Sequence, residues 1–97
     1  METELYNKAV RIYRNICDQY NLLASDKYRF FETYHDTMLD QKDGAMEIVG
    51  EIEHYVKTDQ IAFAKANIKS LNETLSFCKA VINLQEMTEK LPEPIFG

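Results

Sequence analysis

Apolar residues alternate at spacings of three and four along the C-terminal part of the chain. This spacing puts one apolar side chain per turn on the same helical face, so it predicts a helix over residues 59–90. The pattern holds over three successive heptads, as in the seam of a coiled coil. The predicted seam consists of Ile61, Ala64, Ile68, Leu71, Leu75, Cys78 and Ile82. Thr58 and Asp59 precede it and carry side-chain oxygens suited to an N-cap.

Two apolar rows lie side by side in the N-terminal segment, which predicts a helix over residues 3–24 that contacts two neighbours. The rows are Leu5, Ala9, Ile12, Ile16 and Leu23, and Tyr6, Val10, Tyr13, Cys17 and Tyr20. Ser25 and Asp26 offer N-cap oxygens for a second helix over residues 26–40. Neither glycine nor proline interrupts this part of the chain, so one long kinked helix over residues 3–40 is an alternative.

A turn is predicted at residues 40–44, which read Asp-Gln-Lys-Asp-Gly. Aspartate and glycine favour turns, and Asp43 is the best N-cap for a third helix over residues 44–57. Gly50 falls on the polar face of that helix, where a glycine costs about 1 kcal/mol relative to alanine. Close approach by a partner is the only reason that the sequence offers for it.

These elements predict an all-α fold, an antiparallel bundle of three to four helices in a single domain over residues 1–91. Pro92 and Pro94 make residues 92–97 an extended or flexible tail. Two short middle helices cannot easily cover both the two-row first helix and the long last helix. We therefore expect the chain to form a homodimer or a higher homo-oligomer, since two-fold dimers are the commonest assemblies.

The net charge of −5 is concentrated in the middle of the chain: residues 32–59 contain eight acids and two lysines. An acidic segment repels phosphate, so we expect no nucleic-acid partner. No apolar run approaches the length of a membrane span and no signal peptide is recognisable, which predicts a cytoplasmic protein without a membrane partner. Cys17 and Cys78 lie in apolar rows, as reduced and buried thiols do.

Both histidines occur in a Glu-x-x-His pattern, at Glu32/His35 and at Glu51/His54. If the second and third helices formed a hairpin about residues 42–43, the two pairs would lie at matching levels, as in a carboxylate-bridged di-metal site. Helical phase, however, turns His54 away from the apolar face. The prediction is therefore that no metal or other cofactor is bound, with a site of these four residues as the alternative.

No nucleophile elbow, phosphate-binding glycine loop or zinc-ligand spacing occurs, so an enzyme is not expected. Tyrosines recur every seven residues along one edge of the first helix. Boundary packing explains them most simply, while tyrosine and arginine are also enriched at binding hot spots. The predicted function is protein binding, as an adaptor, chaperone or inhibitor. The predicted partner-binding residues are Tyr6, Tyr13, Arg14, Tyr20, Asp43, Glu47 and Glu51.

Overall fold

The computed structural model describes residues 3–24 and 31–90, which form three helices. They are α1 (Thr3–Ala24), α2 (Phe31–Lys57) and α3 (Ile61–Lys90). Each helix contacts the other two, and no strand occurs among the described residues. The predicted all-α bundle is therefore confirmed. The predicted cap at Ser25 and Asp26 and the predicted tail at residues 92–97 lie outside the described residues.

Contacts between helices establish the direction of each one. Tyr20, near the end of α1, contacts His35, near the start of α2, so these two helices are antiparallel. Tyr55 at the end of α2 contacts Phe63 at the start of α3, so the second pair is also antiparallel. It follows that α1 and α3 run parallel. Since α1 and α2 pack side by side, the alternative of one long helix over residues 3–40 is wrong.

The core consists of residues in heptad register on all three helices. Side chains at seven-residue intervals are at most 1% exposed: Ala9, Ile16 and Leu23 on α1, Met38, Ala45 and Ile52 on α2, and Ala64, Leu71 and Cys78 on α3. The predicted seam of α3 faces this core, with Ile68 and Ile82 also buried and Leu75 packed at its edge. Heptad spacing keeps one face of each helix toward the bundle axis along its length.

The predicted turn at residues 40–44 is wrong, because α2 continues through it as a single helix. Met38, Ala45 and Ile52 all face the core, and a turn between the first two would break that register. Asp43 is therefore an exposed residue inside a helix and not an N-cap. Neither Gly44 nor Gly50 has a positive φ, so both are ordinary helical positions. Residues 31–40 and 44–57, predicted to belong to two helices, lie in one helix.

A tight C-cap, instead of an N-cap at Thr58 and Asp59, separates α2 from α3. Asp59 has a φ of 58°, the left-handed conformation that ends many helices. The backbone N–H of Gln60 donates to Tyr55 O at 2.8 Å, and that of Asp59 donates to Val56 O at 3.3 Å, the two bonds of a Schellman motif. The last helix thus begins at Ile61, two residues later than predicted.

With α2 continuous, three helices of similar length cover one another's apolar faces within one chain. The reason for expecting self-association, two short middle helices, is therefore wrong, and homo-oligomerisation stays a prediction that molar mass in solution can test. Some large apolar side chains are exposed on α3, among them Phe63 (58%), Phe77 (42%) and Met87 (66%). None of the described helices has both the length and the apolar character that crossing a membrane requires.

Candidate functional site

A row of five acids follows the solvent-facing side of α2. Successive members are four, three, four and four residues apart, so each lies about one turn from the next on the same face. All five are exposed: Asp36, Asp40, Asp43, Glu47 and Glu51. We call these residues the acidic row. From first to last it spans 15 rises, about 22 Å at 1.5 Å per residue.

Few local partners offset the charge of the acidic row. Asp36 Oδ1 lies 3.2 Å from His35 Nδ1, and Glu51 Oε2 accepts a hydrogen bond of 2.9 Å from Asn67 Nδ2 on α3. Elsewhere in the described part of the chain, the one other ion pair joins Lys57 to Glu53, at 2.6 Å. Asp40, Asp43 and Glu47 therefore present carboxylates to solvent without a cation within ion-pair distance among the described residues.

The tyrosines of α1 lie along its boundary with α2. The hydroxyl of Tyr20 is hydrogen-bonded to His35 Nε2 at 3.1 Å, and Lys42 Nζ lies 4.9 Å from the centre of the ring. Tyr13 and Tyr20 pack at the edge of the core. A side-chain hydrogen bond with Cys17 raises the pKa of Tyr13, and burial and the negative charges of Cys17 and Asp43 add to this rise.

Of the other predicted partner-binding residues, Tyr6 is half-buried and Arg14 is exposed. Tyr6 lines a shallow cavity with Val56 and Lys57, where the start of α1 meets the end of α2. The structure thus places Asp43, Glu47 and Glu51 together in the acidic row and the three tyrosines along the neighbouring helix boundary. Asp36 and Asp40 complete the row. Their spacing would have identified them once α2 was treated as one helix.

The four candidate metal ligands do not meet within one chain. His35 and His54 are 19 residues apart on the same helix, which is about 28 Å along its axis. The hairpin about residues 42–43 that would have brought the two pairs together is absent, because α2 is continuous. His35 instead contacts Tyr20 and Asp36, and His54 is exposed. Among the described residues no three His, Cys, Asp or Glu side chains are grouped as metal ligands, and the side chain of Glu32 is outside them.

The two cysteines are free thiols in different surroundings. Cys78 is fully buried, and burial raises its pKa to about 11, which disfavours the reactive thiolate. Cys17 is half-buried beside Tyr13. Neither thiol lies at hydrogen-bond distance from a histidine among the described contacts, so the geometry offers no Cys-His nucleophile there.

A second charged surface lies between α1 and α3, and counting charges along the sequence did not reveal it. Lys8 of α1 and Lys65 and Lys69 of α3 line one groove of about 640 Å³, with Leu5 and Ile68 between them. Lys65 and Lys69 follow Lys8 by 57 and 61 positions in the sequence. Only the parallel packing of the first and last helices brings them together.

In comparisons with known proteins, no family model matches this chain, and no curated protein or solved structure matches it either.

Proposed function

We propose that this protein is a non-enzymatic interaction module that binds a basic surface of a partner protein through the acidic row of α2. The observation that carries the proposal is the row itself: five exposed acids in helical register with almost no local compensation. Such a contact is compatible with each role predicted from the sequence: an adaptor, a small export or assembly chaperone, or an inhibitor. The activity of the partner, once identified, distinguishes these roles.

Folding alone gives no reason for the acidic row. Like charges three or four residues apart on a helix destabilise it by about 0.2–0.5 kcal/mol per pair. The row contains four successive pairs, so its self-repulsion is on the order of 1–2 kcal/mol at low ionic strength. This is a sizeable fraction of the 5–15 kcal/mol that typically stabilises a small domain. A basic partner would convert the repulsion into favourable charge pairs.

The neighbourhood of the acidic row suits a protein ligand. Met46 is 60% exposed and lies one turn from Asp43, so an apolar contact is available beside the carboxylates. Tyr13 is half-buried at the helix boundary near Asp43. Methionine and tyrosine are both enriched in protein interfaces. Nucleic acid does not fit this face, because its phosphates would meet the same negative charge.

The experiment compares two double variants that remove the same amount of charge. Asp40→Asn/Glu47→Gln neutralises the centre of the acidic row, and Asp18→Asn/Asp59→Asn neutralises two exposed acids elsewhere. Asparagine tolerates the left-handed conformation of residue 59. Tagged wild type and both variants are used to capture partners from the native host, with quantitative mass spectrometry. Calorimetry with the purified partner then follows the affinity as a function of salt concentration.

We expect a basic protein to be retained by the wild type and by the control variant and to be lost with the acidic-row variant. Its affinity should fall as salt rises, because salt screens exposed charges. Capture that is equal for all three proteins would refute the proposal. The same preparations, made without chelators, test the metal alternative: bound iron, manganese or zinc that disappears in His35→Ala/His54→Ala would replace the proposed function.

A further inference from the structure

The groove between α1 and α3 has an apolar floor and a cationic rim. Leu5 and Ile68 form the floor, and Lys8, Lys65 and Lys69 stand along the sides. Each of the three lysines is exposed. The lining on α3 extends from Lys65 to Ser76, a distance of 11 rises or about 16 Å. The groove is therefore three helical turns long.

The lysines of this groove make no ion pair with any described residue. Lys8 follows Glu4 by four positions and Lys69 precedes Glu73 by four, spacings at which helical ion pairs form. Within the described part of the chain, however, ion pairs join only His35 to Asp36 and Lys57 to Glu53. The positive charge of the groove is thus available to a ligand, in a protein whose net charge is −5.

The groove and the acidic row lie on opposite sides of the bundle. Each of the three helices contacts the other two, so the solvent-facing side of α2 points away from the line where α1 meets α3. The two surfaces also differ in chemistry. The acidic row consists of polar side chains, whereas the groove places apolar side chains between its cations. The groove therefore suits a ligand surface of opposite charge to the one that the acidic row suits.

We infer that the groove binds an amphipathic α-helix of a partner protein, with an apolar stripe flanked by aspartate or glutamate. Two helices with an apolar seam between them form half of a four-helix bundle, and a helix is the element that packs into such a seam. Its apolar side chains contact Leu5 and Ile68. Its acidic side chains reach Lys8, Lys65 and Lys69 on the two sides.

A nucleic-acid strand fits the groove less well than an acidic helix does. Glu73 is part of the lining, and Glu4 lines an adjoining depression with Lys8 and Arg11. A phosphate backbone carries negative charge at every step and would meet both carboxylates. A helix can place a neutral or basic residue opposite Glu73 while its acids face the lysines.

A second copy of this chain is also a poorer occupant of the groove. Its surface of opposite charge is the acidic row, where Met46 is the one large apolar side chain exposed among the described residues of α2. Docked in the groove, that face would bring little apolar surface against Leu5 and Ile68. Charge would then supply most of the attraction between the two copies, against the mutual repulsion of two chains of net charge −5 each.

The experiment uses the full chain, labelled with ¹⁵N, and a designed peptide as the probe. The peptide has about 18 residues, enough to span the groove, with Leu and Ala on one face and Glu on both flanks. Its twin carries Lys in place of Glu. A single-stranded oligothymidylate tests binding of nucleic acid to the groove. A concentration series of the protein alone tests self-association. Amide chemical shifts report where each probe binds.

We expect the acidic peptide to shift amides of residues 4–11 and 65–76 and to leave those of the acidic row unchanged. Lys69→Glu should weaken this binding at least tenfold. The control Lys57→Glu makes the same charge change at an exposed lysine outside the groove and should keep the affinity within twofold. Circular dichroism of both variants checks that the bundle is folded.

Four results would overturn the inference. They are no groove shifts with the acidic peptide, groove shifts of equal size with its lysine twin, equal affinity of the Lys69→Glu and Lys57→Glu variants, and stronger shifts of the same amides by the oligonucleotide or by self-association. Because the peptide is not a ligand of the acidic row, these results leave the proposed function of α2 untouched. If the acidic row proves not to bind a basic partner, the inference about the groove is likewise unaffected.

Discussion

Replacing Gly44 or Gly50 by alanine should stabilise this protein. Both glycines lie inside α2, far from its ends, and neither has a positive φ. A Cβ built at either position meets no heavy atom within 4 Å outside the local helix. Alanine is therefore accommodated without a clash, and it removes the conformational freedom that makes glycine unfavourable in a helix.

The expected gain is about 1 kcal/mol for each substitution, the difference between glycine and alanine in a helix interior. The two sites are six residues apart, about 9 Å along the axis, and share no side-chain partner, so their effects should add to about 2 kcal/mol. For a domain of this size, about 1 kcal/mol raises the melting temperature by roughly 4–8 °C. Urea unfolding followed by circular dichroism measures the free energy directly.

Ala45→Gly is the matched control. Ala45 neighbours Gly44 but is 1% exposed in the core, so this change loses helix propensity and a buried methyl group together. It should destabilise the protein by about 1–2 kcal/mol. The reasoning is refuted if Gly44→Ala destabilises the fold. That outcome is what a turn at residues 40–44 with glycine in the left-handed conformation would produce, because alanine costs about 1–2 kcal/mol there.

Three further changes test the core and its edge. Burial raises the pKa of Cys78 to about 11, so as the pH rises this thiol deprotonates in the unfolded chain before it does so in the folded one. The contribution of the buried thiol to stability is therefore complete below about pH 8.5. It is lost as the pH rises to 11, which lowers the free energy of unfolding by roughly 3 kcal/mol. The free energy of unfolding of Cys78→Ala should lack this part of the pH dependence, and an unchanged slope would contradict the assignment. Leu71→Ala should cost about 3–5 kcal/mol in urea unfolding, because Leu71 is fully buried, whereas a loss under 1 kcal/mol would mean that the core closes over the cavity. Tyr20→Phe removes the hydroxyl bonded to His35 and should cost about 1 kcal/mol, and no measurable change would show that this bond only replaces one to water.

Local periodicity was enough to predict α1, α3 and most of the core. A helix advances 100° per residue, so the positions of Ile16, Leu71 and Cys78 in their apolar rows already decide which face is buried. The same rule, applied to α2 as one helix, puts the acidic row on the solvent side. This information is local, because each row depends on side chains three to seven residues apart.

The continuity of α2 could not be predicted from the local sequence, because the local sequence favours a turn. Asp43 and Gly44 form a typical turn dipeptide, and turn chemistry favours a break there. Packing against α1 and α3 outweighs that preference by keeping Met38, Ala45 and Ile52 in one register. The alternative of a metal site depended on the same predicted turn at residues 40–44. Without that turn, the two Glu-x-x-His pairs do not lie beside each other.

Only the tertiary structure decided which charges share a surface. Lys8 lies in the first helix and Lys69 in the last, and the intervening α2 reverses the chain so that α1 and α3 run parallel. A charge count along the chain separates these lysines, whereas packing places them around one apolar seam. Side chains on one helix are related by its fixed rotation, but side chains on different helices meet only where burial of the core brings those helices together.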